Sequence, residues 1–378
     1  YAQALLQELS RRFGRVLLIS VKQRLFLGGG AEEASELLLC EDFDPPEGSG
    51  RVEFCECADI DACTVAIEQI RSNNRRFTAF SDAEGAAMSK LSSEERVLWT
   101  TWQRDAGVVR LGDLARISIG IVTGANRFFL LNRDRVDALK LPRRTLTQIL
   151  GKLESAPGLR LTSSDLRSAE RSGQRCLLLN PDRRDEEGQA LKRYRRLWPT
   201  TKRKENVTFA KRPNWLCPDD GKRPHAFLPY MNHQGPRLIL NFAHVNSTNT
   251  IHRVWFRDEV PMAYWKWIAV SMLSSFTQLG AELVGRSYGG GILKHEIGEA
   301  TMLPLIIPQY LDSIEADSLF IKLDREWRRG NWKRATEAAD AIVGDVVGKD
   351  FASDILVFRN ALSRLRARRW RRNENPVS

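Results

Sequence analysis

Within residues 237–254 the hydrophobic pattern changes twice, and few backbone arrangements satisfy both changes. Leu238, Leu240 and Phe242 alternate with Ile239, Asn241 and Ala243 at period two, which reads as a strand, and Ile251 and Val254 resume apolar burial after a polar run. That run, Asn246, Ser247, Thr248, Asn249 and Thr250, offers amides and hydroxyls but no charge, between Arg237 on one side and His252 and Arg253 on the other. Two readings fit it. The side chains read base edges beside a phosphate backbone, or the segment is a loop whose Asn and Ser groups satisfy their own backbone.

Charge bears on this choice. The 378 residues allow two or three domains and carry a formal net charge of +11. Residues 1–100 hold 11 Lys and Arg against 17 Asp and Glu, so the remainder carries +17, a balance that implies a polyanion partner. The densest basic stretch, 190–224, has eleven positive and three negative side chains interleaved with Tyr194, Trp198 and Trp215. Lys192, Arg193, Arg195, Arg196, Lys202, Arg203, Lys204, Lys211 and Arg212 belong to it.

The six cysteines lack the paired spacing of a structural zinc site and the five histidines form no metal-binding pair, so no metal is expected. The most apolar stretch, 262–283, contains Lys266, Gln278 and Glu282 and reads as a buried helix; a cytoplasmic location follows. The chain opens with Tyr in what reads as a helix already under way, the expectation for a fragment.

From the start, the pattern predicts a helix over 2–13, strands at 16–20, 36–40 and 52–57, and a helix over 58–71, one edge of an α/β sheet. Ser92 and Glu95 predict a capping box for a helix through Trp99 and Trp102. Residues 118–131 read as two strand-like runs around a turn, Thr123, Gly124, Ala125 and Asn126, where glycine permits close approach to a ligand and Asn126 and Arg127 stand at the tip. On these residues alone an ordinary hairpin is the better-supported reading. Residues 285–296 place Gly289, Gly290 and Gly291 between Arg286 and Lys294, a pattern suited to phosphate but neither a Walker loop nor a dinucleotide fingerprint. Residues 316–378 read as helices turning at Arg329, Gly330 and Asn331, with an apolar stripe of Ile355, Phe358, Leu362 and Leu365. The tail ends in six arginines, Arg364, Arg366, Arg368, Arg369, Arg371 and Arg372, which read as a solvated face or as phosphate contacts.

Together, residues 120–129 (Gly-Ile-Val-Thr-Gly-Ala-Asn-Arg-Phe-Phe), 246–254 and 287–294, with Glu296, Leu303 and Pro304, resemble bacterial adenine-N6 DNA methyltransferases of the gamma type, associated with restriction–modification. The resemblance implies an α/β chain: part of a Rossmann-like methyltransferase sheet at 1–78, a linker helix at 79–107, a mixed α+β target-recognition domain at 108–315 and a helical segment at 316–378. It implies duplex DNA as partner, with a restriction nuclease linked or separate, and S-adenosylmethionine as methyl donor. Thr123, Asn126, Arg127, Arg237, Asn246, Ser247, Thr248, Asn249, His252, Arg253, Arg286, Ser287, Tyr288 and Lys294 would then face DNA, and Phe26 would stack on the flipped adenine.

Two elements of the family are missing. The target amine is held there by an Asn/Asp-Pro-Pro-Tyr/Phe motif, and the cofactor by a Gly-containing turn, both expected before residue 1. Asp44, Pro45, Pro46 and Glu47 lack the aromatic face, as do Asn180, Pro181 and Asp182, so neither is assigned to catalysis. A non-catalytic DNA-specificity subunit is the alternative; an RNA-binding protein, with no preference for duplex DNA, is a third.

Overall fold

The computed structural model describes residues 2–21, 23, 25, 35–46, 50–71, 78–80, 86–105, 107–182 and 188–371. They form two units. One comprises Tyr1–Ala106, Gln278–Lys294 and Asp350–Ser378, the other Gly107–Thr277 and His295–Lys349. The expected tail from 316 is thus divided between units, and the glycine-rich segment at 286–294 belongs to the first rather than to the second.

In the first unit, Phe13–Val21 lies between Ser35–Phe43, antiparallel to it, and Arg51–Cys57, parallel to it, with Thr78–Phe80 beyond. Val16 and Val52 meet Leu6 of the helix Ala2–Arg12 on one face, while Leu17, Ile19 and Val21 meet Cys63 and Ala66 of the helix Ile60–Arg71 on the other. Covering on both faces explains why this strand reads as a nearly continuous apolar run. Each such buried side chain contributes about 1.5–3 kcal/mol. The helix Ser93–Gln103 opens with the predicted capping box of Ser92 and Glu95. Its Trp99 and Trp102 pack edge-on to Phe358 and Phe351 of the helix Lys349–Arg371, whose stripe of Ile355, Phe358, Leu362 and Leu365 is buried.

Two larger sheets make up the centre of the second unit, beside a two-stranded one of Val108–Arg110 and Pro304–Ile306. A five-stranded sheet runs in the order Ala115–Ser118, Ile251–Phe256, Ala226–Pro229, Ile239–Asn241 and Arg160–Leu161; a four-stranded sheet runs Asn246–Ser247, Leu146–Leu150, Leu177–Leu179 and Leu130–Leu131. Their shared core includes Phe129, Leu178, Phe227 and Ile251. Helices Ser313–Arg328 and Trp332–Val347 turn at the predicted Arg329, Gly330 and Asn331, with Gly330 at φ 76°. The apolar stretch expected as one helix is two, Met262–Ser271 and Ser275–Val284. Serines make the break. Ser274 Oγ donates to the Ser271 carbonyl at 2.8 Å, and buried Asp340 accepts from the Ser275 backbone at 2.6 Å and from its hydroxyl at 2.8 Å, capping the second helix from afar. Among the described residues no helix is long and apolar enough to cross a membrane.

Candidate nucleic-acid interface

The polar crossing at 246–250 begins as sheet and ends in a turn. Asn246 and Ser247 pair in parallel with Ile149 and Leu150, and Thr248 bridges to Ile121. Asn246, Ser247 and Thr248 are 1%, 0% and 1% exposed, and their side chains are already engaged. Asn246 Nδ2 donates to Asp219 at 3.0 Å and Asp220 at 2.8 Å, Ser247 Oγ to the Ile251 carbonyl at 3.1 Å, and Thr248 Oγ1 to the Gly151 carbonyl at 2.9 Å. Arg253 reaches Asp220 at 2.7 Å and the Ile119 carbonyl at 2.9 Å; Arg237 donates to the Ala156 carbonyl at 2.6 Å and lies over Trp327. His252 is buried, with Nε2 donating to the His295 carbonyl at 2.8 Å.

This corrects the expectation that all these groups face DNA. Asn246, Ser247 and Thr248 build the framework, because uncharged polar side chains bury at little cost once partnered, and Arg253, Arg237 and His252 beside them are likewise engaged with protein groups. Asn249 and Thr250 remain exposed at the turn.

Electrostatics agree with a framework role. Burial alone would raise the Asp220 carboxyl, but Arg253, the Lys222 backbone and Asn246 together hold it below the usual aspartate range. Burial pushes the His252 imidazole below its ordinary value, outweighing the His295 carbonyl and the Glu296 charge, so the ring is neutral when folded. Unfolding returns it to a pKa near 6.5, so stability is full above that pH and falls as pH drops below it. Thermal melts between about pH 7 and 5.5 should therefore show a shallower acid slope for His252→Gln than for the wild type. Equal slopes would remove His252 from this role.

The loop at 120–127 packs closely on protein. A Cβ on Gly120 would lie 2.1 Å from the Thr248 carbonyl oxygen, and Gly124, at φ 76°, would place one 2.9 Å from Thr208. Asn206 Nδ2 donates to the Gly124 carbonyl at 3.1 Å, and Arg212 to that of Val122. Where sequence suggested a strand, Asn126–Phe129 is a helical turn. Buried Thr123 donates to Asn126 Oδ1 at 2.5 Å and accepts from the Ala125 amide at 3.1 Å, which fixes that turn. Phe128 and Phe129 point inward, while Asn126 and Arg127 are exposed at the tip.

The basic stretch sorts by face. Tyr194 stacks on Phe128 with ring centroids 4.6 Å apart and donates to its carbonyl at 2.7 Å; Trp198 and Trp215 pack on Phe128, and Phe209 on Phe129. The aromatic residues interleaved with the charges therefore anchor the helices Gln189–Arg196 and Val207–Ala210 to the core. Lys192, Arg193, Arg196, Lys202, Lys204 and Lys211 are exposed. The second unit holds 37 Lys and Arg against 25 Asp and Glu, whereas the first holds 21 against 22.

In the first unit, Arg286–Tyr288 pairs antiparallel with Ile292–Lys294 around Gly289, Gly290 and Gly291. Arg286, Ser287 and Tyr288 are exposed, and Lys294 lies 5.1 Å over the Tyr288 ring. Four of the tail arginines are engaged by protein groups. Arg364 grips Glu95 at 2.7 and 2.6 Å, Arg366 meets Gln278 at 2.6 Å, Arg368 pairs with Glu56, and Arg369 pairs with Glu282. Arg372 and Phe26 lie outside the described residues. Asp219, Asp220 and Asn206 organise the site without announcing themselves in sequence, because single carboxylates and amides in a basic stretch carry no spacing signal. Among the described residues no group of His, Cys, Asp and Glu is placed to hold a metal.

The chain belongs to the family described as Type II methyltransferase M.Eco57I, C-terminal domain: residues 86–343, more than half of it, match that family. Among solved structures it is similar to the type IIG restriction endonuclease BpuSI, at 14% identity and a TM-score of 0.50 over 99% of this chain and 46% of that one. The type IIL restriction-modification enzyme MmeI, solved in complex with DNA, aligns at 10% identity and a TM-score of 0.43 over 96% of this chain and 47% of that one. The chain thus spans about half the length of these structures. No curated protein matches it.

Proposed function

We propose that this chain is the duplex-DNA recognition part of a restriction–modification methyltransferase that transfers a methyl group from S-adenosylmethionine to adenine N6. The observation that carries the reading is the second unit's excess of twelve positive charges, part of it exposed on the helices Gln189–Arg196 and Thr200–Glu205, together with a tip that exposes Asn126, Arg127 and Asn249. Cations on that surface suit phosphates, and the uncharged amides suit base edges. Arg286, Ser287, Tyr288 and Lys294 add a second contact hairpin, and the first unit's sheet is read as the end of a Rossmann-like methyltransferase sheet.

The described residues do not fit a cradle for S-adenosylmethionine. Beyond the parallel strands Phe13–Val21 and Arg51–Cys57, the Gln23 amide oxygen and the Asp59 carboxylate accept from the Ile60 and Ala62 amides, so both serve the next helix. No chemical step is assigned to this chain. Its residues would hold the duplex in register while the target base leaves the stack. Such an enzyme would act on cytoplasmic DNA, alongside a fused or separate nuclease.

Incubating the intact protein with duplex DNA and labelled S-adenosylmethionine should yield N6-methyladenine, and the 378-residue chain alone should yield none. Label in cytosine, or label transferred by this chain alone, would contradict the reading. Base readout is tested separately. Asn249→Ala should erode cognate over non-cognate preference by about 1–3 kcal/mol while leaving the melting temperature unchanged, because the side chain is exposed. Asn246→Ala should do the reverse, since it strips partners from Asp219, Asp220 and Arg253. Competition titrations and melts of both variants decide, and an unchanged preference in Asn249→Ala would leave that side chain to its own turn.

A further inference from the structure

Arg369 stands apart from the other tail arginines. It is 3% exposed, and its Nε and Nη2 take the two carboxylate oxygens of buried Glu282 at 3.0 and 2.7 Å. The remaining nitrogen, Nη1, donates to the carbonyl of Gly291, in the turn that joins Arg286–Tyr288 to Ile292–Lys294. A guanidinium is a rigid planar fork, so fixing two nitrogens on one carboxylate fixes where the third points. The turn it meets needs such a restraint. Gly290 and Gly291 sit at φ 71° and 68°, and a Cβ on Gly290 would meet nothing within 4 Å, so packing does not hold Gly290 in place. Glycines without packing partners sample many turn geometries.

A buried ion pair of this kind seldom adds net stability over an apolar pair of equal volume, and its best-attested use is to specify one geometry. We infer that Arg369 is a positioning residue: anchored on Glu282, it holds the Gly291 carbonyl and so sets the hairpin that presents Arg286, Ser287, Tyr288 and Lys294. The inference rests on the proposed DNA-recognition role of that hairpin for its functional consequence, though not for its structural one.

Two variants of the full 378-residue chain test it. Arg369→Lys keeps a charge for Glu282 but has a single head that cannot serve the carboxylate and the carbonyl in fixed geometry. Arg369→Met combined with Glu282→Gln removes both members of the bidentate pair, leaving Arg366, 3.7 Å from Glu282, its contact with Gln278. Three readouts are taken: melting temperature, amide hydrogen exchange over residues 286–294, and binding to a mixed-sequence duplex of about 30 base pairs across a salt series. Arg369→Lys should keep a near wild-type melting temperature, exchange the hairpin amides about tenfold faster, and bind the duplex about tenfold more weakly with a flatter salt slope. The double variant should behave alike; if it does not fold, the Lys variant decides alone. Wild-type exchange in folded Arg369→Lys would overturn the inference. Faster exchange with wild-type duplex affinity would keep the positioning role and instead remove this hairpin from DNA contact.

Discussion

Replacing Asp324 with Ala is expected to destabilise the second unit by about 3–5 kcal/mol, the cost of removing one partner from a buried charge cluster. Asp324 is 1% exposed and accepts from the Leu159 amide at 2.8 Å, Arg160 Nε at 2.9 Å and Arg328 Nε at 2.9 Å. Arg328 also holds Asp165 at 2.7 Å and the Arg160 carbonyl at 2.8 Å, which ties the helix Ser313–Arg328 to the strand Arg160–Leu161. Nearby, burial and the Arg328 charge push the Arg237 guanidinium down to about 10, against the pull of Asp324, and it stays protonated at neutral pH. Without Asp324 this region would hold more positive charge than its carboxylates can offset. Gly158 belongs to the same arrangement: a Cβ there would sit 2.1 Å from Asp324 Oδ1. Urea denaturation of Asp324→Ala measures the effect, and a loss below about 1 kcal/mol would mean that the arginines find other partners.

The largest effect on binding is expected from the outward cations. Neutralising Lys192, Arg193, Arg196, Lys202 and Lys204 together should flatten the log–log salt dependence of duplex binding by about 4.5, at roughly 0.9 for each phosphate that loses its cation. All five are exposed, and the rings beneath the stretch remain packed, so the fold should survive. An unchanged slope in the folded variant would move the phosphate path elsewhere on the chain.

Much of the first unit is legible in the sequence because period-two burial and capping are local. The strand Phe13–Val21, its neighbours and the Ser92 capping box lie where the pattern puts them. The crossing at 246–250 is legible only in part. An uncharged polar run looks alike whether it faces solvent or a buried carboxylate, and the partners of Asn246 lie 26 and 27 residues away. The tail arginines mislead for the same reason, since Glu56, Glu95 and Glu282 are distant in sequence. The serine break at 272–274 depends on Asp340, 65 residues on from Ser275. In each case local composition is compatible with two environments, and the long-range partner decides between them.

The central claim is duplex-DNA recognition by the full chain, and titration against salt tests it most directly. Anisotropy of a labelled duplex of about 30 base pairs should show affinity falling steeply between about 50 and 200 mM salt, and binding tighter than to an RNA duplex of equal length. Affinity that is flat across that range, or that favours RNA, would contradict the account.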